Sequence, residues 1–174
     1  MPRDATRPGA RVYDATDDVK SPRIRRLVAY WRSKQISDRP PRRADIYPEE
    51  IPGLLPYILL VDFTTAPFRV FYRLVGTQVV AYNKRDFTGH FLDELAFPSV
   101  SQIAERYRRV MTDAKPVYGA ANLRSRIDTW VPFEYALLPL SDDGLTVNKC
   151  IAMECYGDVD PEDIAESARL KRGS

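Results

Sequence analysis

Histidine is nearly missing from this chain: His90 is the one histidine in 174 residues. Metal sites built from clustered imidazoles, and nucleophilic triads that need a histidine base, are thereby all but excluded. Cysteine is scarce too. Cys150 and Cys155 lie near the end of the sequence, and on an extended strand their odd spacing sends them to opposite faces, out of pairing distance. Reduced thiols in a cytoplasmic protein are the simplest reading. No apolar run reaches the length of about 18 residues that a membrane-spanning helix needs. The opening residues, MPRDATRPGARVYDATDD, have no apolar segment of the kind a secretory signal carries. Gly-x-Gly-x-x-Gly, Gly-Lys-Ser/Thr, His-Glu-x-x-His and Gly-x-Ser-x-Gly are all missing, so no enzymatic activity is expected.

Hydrophobic residues are 44% of the chain and charged residues 29%, a globular composition with enough apolar side chains for one core without disulfides or metal. Charge is unevenly placed: residues 1–45 hold twelve Lys/Arg against six Asp/Glu, and the rest hold fourteen against eighteen. Because basic and acidic residues alternate in the leading segment, it reads as a solvated tail and helix face rather than a nucleic-acid or lipid contact. Residues 1–20 show no hydrophobic period and are expected to be a disordered tail.

Ser21-Pro22 is a helix start, with serine as cap and proline at the first helical position. Ile24, Leu27, Val28 and Trp31 then recur at helical spacing and form one apolar stripe. The stripe of this 21–36 helix must cover the main domain or pair with a second copy, and these four residues are the candidates for a homodimer interface. Residues 37–47 form a proline-rich connector, and Pro48-Glu49-Glu50-Ile51 suits a short helical turn. Residues 57–63 and 68–75 read as two strands joined by a short turn. In the second, Phe68, Val70, Tyr72 and Leu74 share one face and Arg69 and Arg73 the other. A short helix comes after Gly76, then an apolar stretch of turns to Ser99. Val100, Ile103, Ala104, Tyr107, Val110, Met111 and Ala114 mark a long amphipathic helix. Three strands complete the pattern, over 117–125, 129–141 and 145–157. Asp160-Pro161-Glu162-Asp163 then starts a tail helix within 158–174. The expected architecture over 48–157 is α+β: a five-stranded antiparallel sheet with helices on one face.

The order of two strands, a helical excursion and three strands resembles the PAS domain, and local sequence agrees. Arg73-Leu74-Val75-Gly76-Thr77 looks like the end of the second PAS strand entering its first helix. Arg85-Asp86-Phe87-Thr88-Gly89-His90 resembles the Asp-x-x-Gly step of the helical connector, and Lys115-Pro116-Val117 the exit from the long helix. Tyr30-Trp31 and the segment Pro41-Arg42-Arg43-Ala44-Asp45-Ile46-Tyr47-Pro48 further resemble those of short bacterial single-PAS proteins. The resemblance implies a stand-alone sensory or regulatory domain that binds a small apolar or amphipathic ligand, a partner protein, or both, and signals in trans.

A PAS pocket lies between sheet and connector. Its candidate lining residues here are Tyr72, Leu74, Tyr82, Phe91, Tyr107, Met111, Trp130 and Tyr135, although the same residues would serve as a filled core. Buried tyrosine hydroxyls need partners, which a ligand carbonyl or carboxylate could supply. Haem is disfavoured because residues 100–115 contain no axial histidine. A covalent flavin photocycle is disfavoured because Asn83-Lys84-Arg85 has lysine where a reactive cysteine would stand. Arg73 is expected to be exposed or paired with an acid, Arg106 to face solvent, and His90 to be a surface residue. Two alternatives remain. One is an interaction or dimerisation module with a filled core, which an empty site below about 300 Å³ would support. The other is a small cone-shaped α+β enzyme using Glu134 or Glu154, both of which read as outward-facing.

Overall fold

Strands with apolar residues on both of their faces can cover two cores at once, and this sheet does so. The computed structural model describes residues 10–165. Among them six strands form one antiparallel sheet: β1 (Arg11–Tyr13), β2 (Ile58–Thr65), β3 (Phe68–Val75), β4 (Val117–Arg124), β5 (Trp130–Ser141) and β6 (Val147–Cys155), in the spatial order β1-β4-β5-β6-β2-β3. Helices α1 (Pro22–Ser33), α2 (Thr77–Asn83) and α3 (Val100–Asp113) complete the fold with short 3₁₀ turns. Alternation along β6 shows the two-sidedness. Cys150, Ala152 and Tyr156 join the core beneath α2 and α3, whereas Ile151, Met153 and Cys155 join the core beneath α1. The two cysteines are therefore buried, free and on opposite faces.

The expected five strands become six because β1 adds to the sheet edge. Arg11, Val12 and Tyr13 pair with Ala120, Gly119 and Tyr118 of β4. Residues 11–13 are thus ordered, contrary to the disorder expected of 1–20. Residues 1–9 lie outside the described residues. Edge addition satisfies backbone N–H and C=O groups whatever the side chains are, so a polar segment can join without a hydrophobic period. Glu134 anchors the segment between β1 and α1. Its carboxylate accepts from the Tyr13 hydroxyl at 3.2 Å and from the backbone N–H groups of Lys20 at 2.9 Å and Ser21 at 2.7 Å. Placing an anion at the first turn of α1 also suits the helix dipole.

Ser21 caps α1 as its sequence suggests, accepting from the Ile24 N–H. The apolar stripe, however, is spent within the chain. Ile24, Leu27, Val28 and Trp31 are 0–3% exposed against β5 and β6, and the Trp31 indole donates to the Pro139 carbonyl at 2.8 Å. None of the four is available as a homodimer interface, so helices cover both faces of the sheet rather than one. At the other end, Pro161–Asp163 is a single 3₁₀ turn, after which Ile164 bridges to Ser125 and the Ala165 N–H donates to the Arg124 carbonyl. The expected tail helix does not begin there, and residues 166–174 lie outside the described residues.

Strand β3 carries a bulge. Leu60 pairs with Leu74 but Val61 pairs with Tyr72, leaving Arg73 as the extra residue. One inserted residue reverses the alternation beyond it. Val70 and Tyr72 point into the α3 core, but Leu74 turns outward and is 43% exposed while Val75 is buried.

Candidate functional site

Helix α3 does not close fully onto the sheet. Ile103 and Tyr107, one helical turn apart, face β4–β6, and with Leu59, Phe133, Leu137 and Ala121 they bound a cavity of about 250 Å³. Phe87, Phe97 and Pro98 from the connector close one side, Ala10 borders it ahead of β1, and the polar lining comes from Tyr72, Ser99, Gln102, Arg106, Asn122, Tyr135 and Glu154.

Of the eight expected lining residues, the structure brings three to this cavity: Tyr72, Tyr107 and Tyr135. The other five lie elsewhere. Leu74 is displaced by the bulge. Tyr82 stacks on Tyr156 with ring centroids 3.9 Å apart and donates its hydroxyl to the Val159 carbonyl. Phe91 packs on Phe71 at 5.0 Å and under the Arg69 guanidinium at 3.6 Å. Met111 packs against the same core from farther along α3. Trp130 lies under the Arg124 guanidinium, 5.3 Å from its ring. Strand alternation could have corrected the last assignment: Phe133, Tyr135 and Leu137 share a face that Trp130 does not. Arg106 and Glu154 were expected to face solvent, and both line the cavity instead. Arg73 pairs with Asp62 as expected, and His90 is exposed.

The tyrosines differ in their surroundings. Tyr107 is buried, which pushes its hydroxyl well above the usual phenol range. Neighbouring Tyr72, Cys150 and Glu154 add to that, and Tyr72 is also its hydrogen-bond partner. The Glu154 carboxylate accepts from the Tyr156 hydroxyl. Tyr135 is 3% exposed, yet its hydroxyl has no hydrogen-bond partner. Its ring crosses Gly119 on β4, its cross-strand neighbour. A Cβ at Gly119 would collide with the Tyr135 hydroxyl and the Arg11 carbonyl, so this crossing requires glycine. The Arg106 guanidinium sits 4.6 Å from the centre of the Tyr135 ring, within cation–π range. Burial raises the Tyr135 hydroxyl above the usual phenol range, and the charges of Arg106 and Arg109 pull it partly back.

Chemically, the cavity joins apolar walls to a few polar groups. A buried unpartnered hydroxyl is rare in native proteins and costs about 1–3 kcal/mol. Tyr107 and Tyr135 are weak acids whose burial favours the neutral form, and no group of three or more His, Cys, Asp or Glu among the described residues could hold a metal ion.

The sheet order, the connector and the α3 cavity define the class of protein. The PAS domain model matches residues 19–152, and the chain belongs to the PAS domain family, whose members are generally sensory and signalling modules. Among solved structures it is similar to one described as that of an RNA-binding light-oxygen-voltage receptor, at 16% identity and a TM-score of 0.42. The match covers 67% of this chain and 36% of that one, so the present chain spans about a third of that receptor. A comparison with curated proteins gives no match.

Proposed function

We propose that this chain is a PAS sensory module that takes a small amphipathic molecule into the α3 cavity and passes the change to a partner polypeptide. The observation that carries this reading is the Tyr135 hydroxyl, buried in the cavity wall and unpartnered. A protein that folded only to fill its core would gain by having phenylalanine there. The size of the guest follows by proportion: an apolar cavity of about 150 Å³ accepts benzene, so one of about 250 Å³ accepts roughly ten heavy atoms. Two unpaired thiols suit a reducing compartment, which supports a cytoplasmic location.

Size favours the second reading, an interaction module without a ligand, because the volume is below the roughly 300 Å³ at which drug-sized sites begin. Native mass spectrometry of the purified protein separates the two. The sensory reading expects a retained mass of roughly 150 Da, lost when Ala121→Leu fills the cavity wall. No retained mass, together with no thermal stabilisation by any compound of that size, establishes the interaction module.

A further inference from the structure

We propose that the cavity selects a carboxylate on a compact apolar body, with the carboxylate received by the Tyr135 hydroxyl and the Arg106 guanidinium. This deepens, and rests on, the reading of the cavity as a ligand site.

Three observations converge. The Tyr135 hydroxyl is a donor in need of an acceptor, since no protein group takes it. Tyr118 Oη and Asn148 Oδ1 are also buried without a partner, but neither residue lines the cavity. Arg106 supplies the second part. Its charge lies over the Tyr135 ring, and neither it nor Arg109 forms an ion pair with the described residues. Arg69, Arg73 and Arg124 each engage a carboxylate. An acceptor bearing negative charge is the group that answers both needs at once. A neutral carbonyl answers only the hydroxyl, and an ammonium answers neither. A phosphate dianion would need more donors than one hydroxyl and one guanidinium provide.

Glu154 sets the direction. It stands opposite Tyr135 in register, but its carboxylate turns to the Tyr156 hydroxyl and acts on Tyr107. The charges felt at the Tyr135 hydroxyl are those of Arg106 and Arg109. Arg106 and Glu154 give the cavity one group of each sign, and because the Glu154 carboxylate already accepts from Tyr156, an anion-tipped guest turns its charge to Arg106 beside the Tyr135 ring. Its body lies against Leu59, Ile103, Phe133 and Leu137.

The test uses the full chain, unfolded and refolded to strip any retained molecule, in calorimetric titrations at pH 7. Three probes share one skeleton: 3-phenylpropanoate, 3-phenylpropanamide and 3-phenylpropylamine. The expected result is that the acid binds at least tenfold tighter than the amide, and the amide tighter than the amine. Arg106→Gln is expected to bind the amide as before while losing the preference for the acid. If that variant does not fold, Tyr135→Phe serves, with the same loss of preference. An amide that binds as well as the acid, or an amine that binds better, overturns the carboxylate assignment and leaves the cavity as a ligand site. If none of the three binds, the retained molecule decides: a carboxylic acid upholds the assignment and any other molecule overturns it. No binding and no retained mass removes the ligand reading itself, and the assignment falls with it.

Discussion

Replacing Tyr135 by phenylalanine is expected to have opposite effects on the empty and the occupied protein. The substitution removes one oxygen and leaves the ring, its crossing over Gly119 and its contact with Arg106 in place. In the empty protein that oxygen is buried without a partner. An unsatisfied buried hydroxyl costs about 1–3 kcal/mol, and the dispersion attraction of a single atom amounts to only a few tenths of that. The stripped variant is thus expected to be about 1–2 kcal/mol more stable than the parent, a rise in Tm of about 2–8 °C for a chain of this length. Urea unfolding monitored by the fluorescence of Trp31 and Trp130 measures it: the midpoint moves up while the slope stays constant. Saturation with 3-phenylpropanoate is expected to shrink or reverse the advantage, because only the parent gains the bond to the guest. A stripped variant that is less stable than the parent by about 1 kcal/mol or more would mean that the hydroxyl is already satisfied, and the argument for a guest would lose its basis.

Two further outcomes rest on other parts of the fold. Trp31→Ala opens a space between α1 and β5 and orphans the Pro139 carbonyl; it is expected to cost about 3–5 kcal/mol in denaturant unfolding with no change of mass in light scattering, whereas a changed mass with unchanged stability would restore the stripe as an interface. Burial pushes the Asp62 carboxyl upward, but hydrogen bonds from Arg73 and Lys149 outweigh it, so the group titrates below the usual carboxylate range. A depressed folded pKa stabilises the protein above the unfolded value of about 3.9 and ceases to do so as pH falls through the folded one. Asp62→Asn is therefore expected to be less stable than the parent at pH 7, with the difference closing in acid. A difference that persisted at the lowest pH would place the effect in packing rather than charge.

The fold was legible wherever local pattern and tertiary environment agree. The stripe from Ile24 to Trp31, the 68–75 strand and the long helix after Ser99 are repeats with one face to bury, and the order of elements alone resembles the PAS domain. What was not legible depends on pairing. Nothing in Arg69 to Val75 signals that Arg73 is an extra residue, because a bulge exists only relative to the partner strand, here β2; Leu74 was misplaced for that reason. Strand β1 escaped notice because edge pairing satisfies backbone groups and makes no demand on Arg11 or Val12. The cavity was half legible. Tyr72, Tyr107 and Tyr135 follow from the PAS resemblance, with the first two also on periodic apolar faces, but Arg106 and Glu154 carry charge, and charge predicts solvent until a neighbouring ring or hydroxyl is seen to compensate it.

Residues 134 and 135 of β5 are consecutive, and their side chains leave the sheet on opposite sides. Tyr135 borders the cavity, while Glu134 grips Tyr13, Lys20 and Ser21. A single planar peptide unit joins them. A tilt of that unit imposed from the cavity side would reach the root of α1 without a relay of intervening residues, through a coupling one amide long.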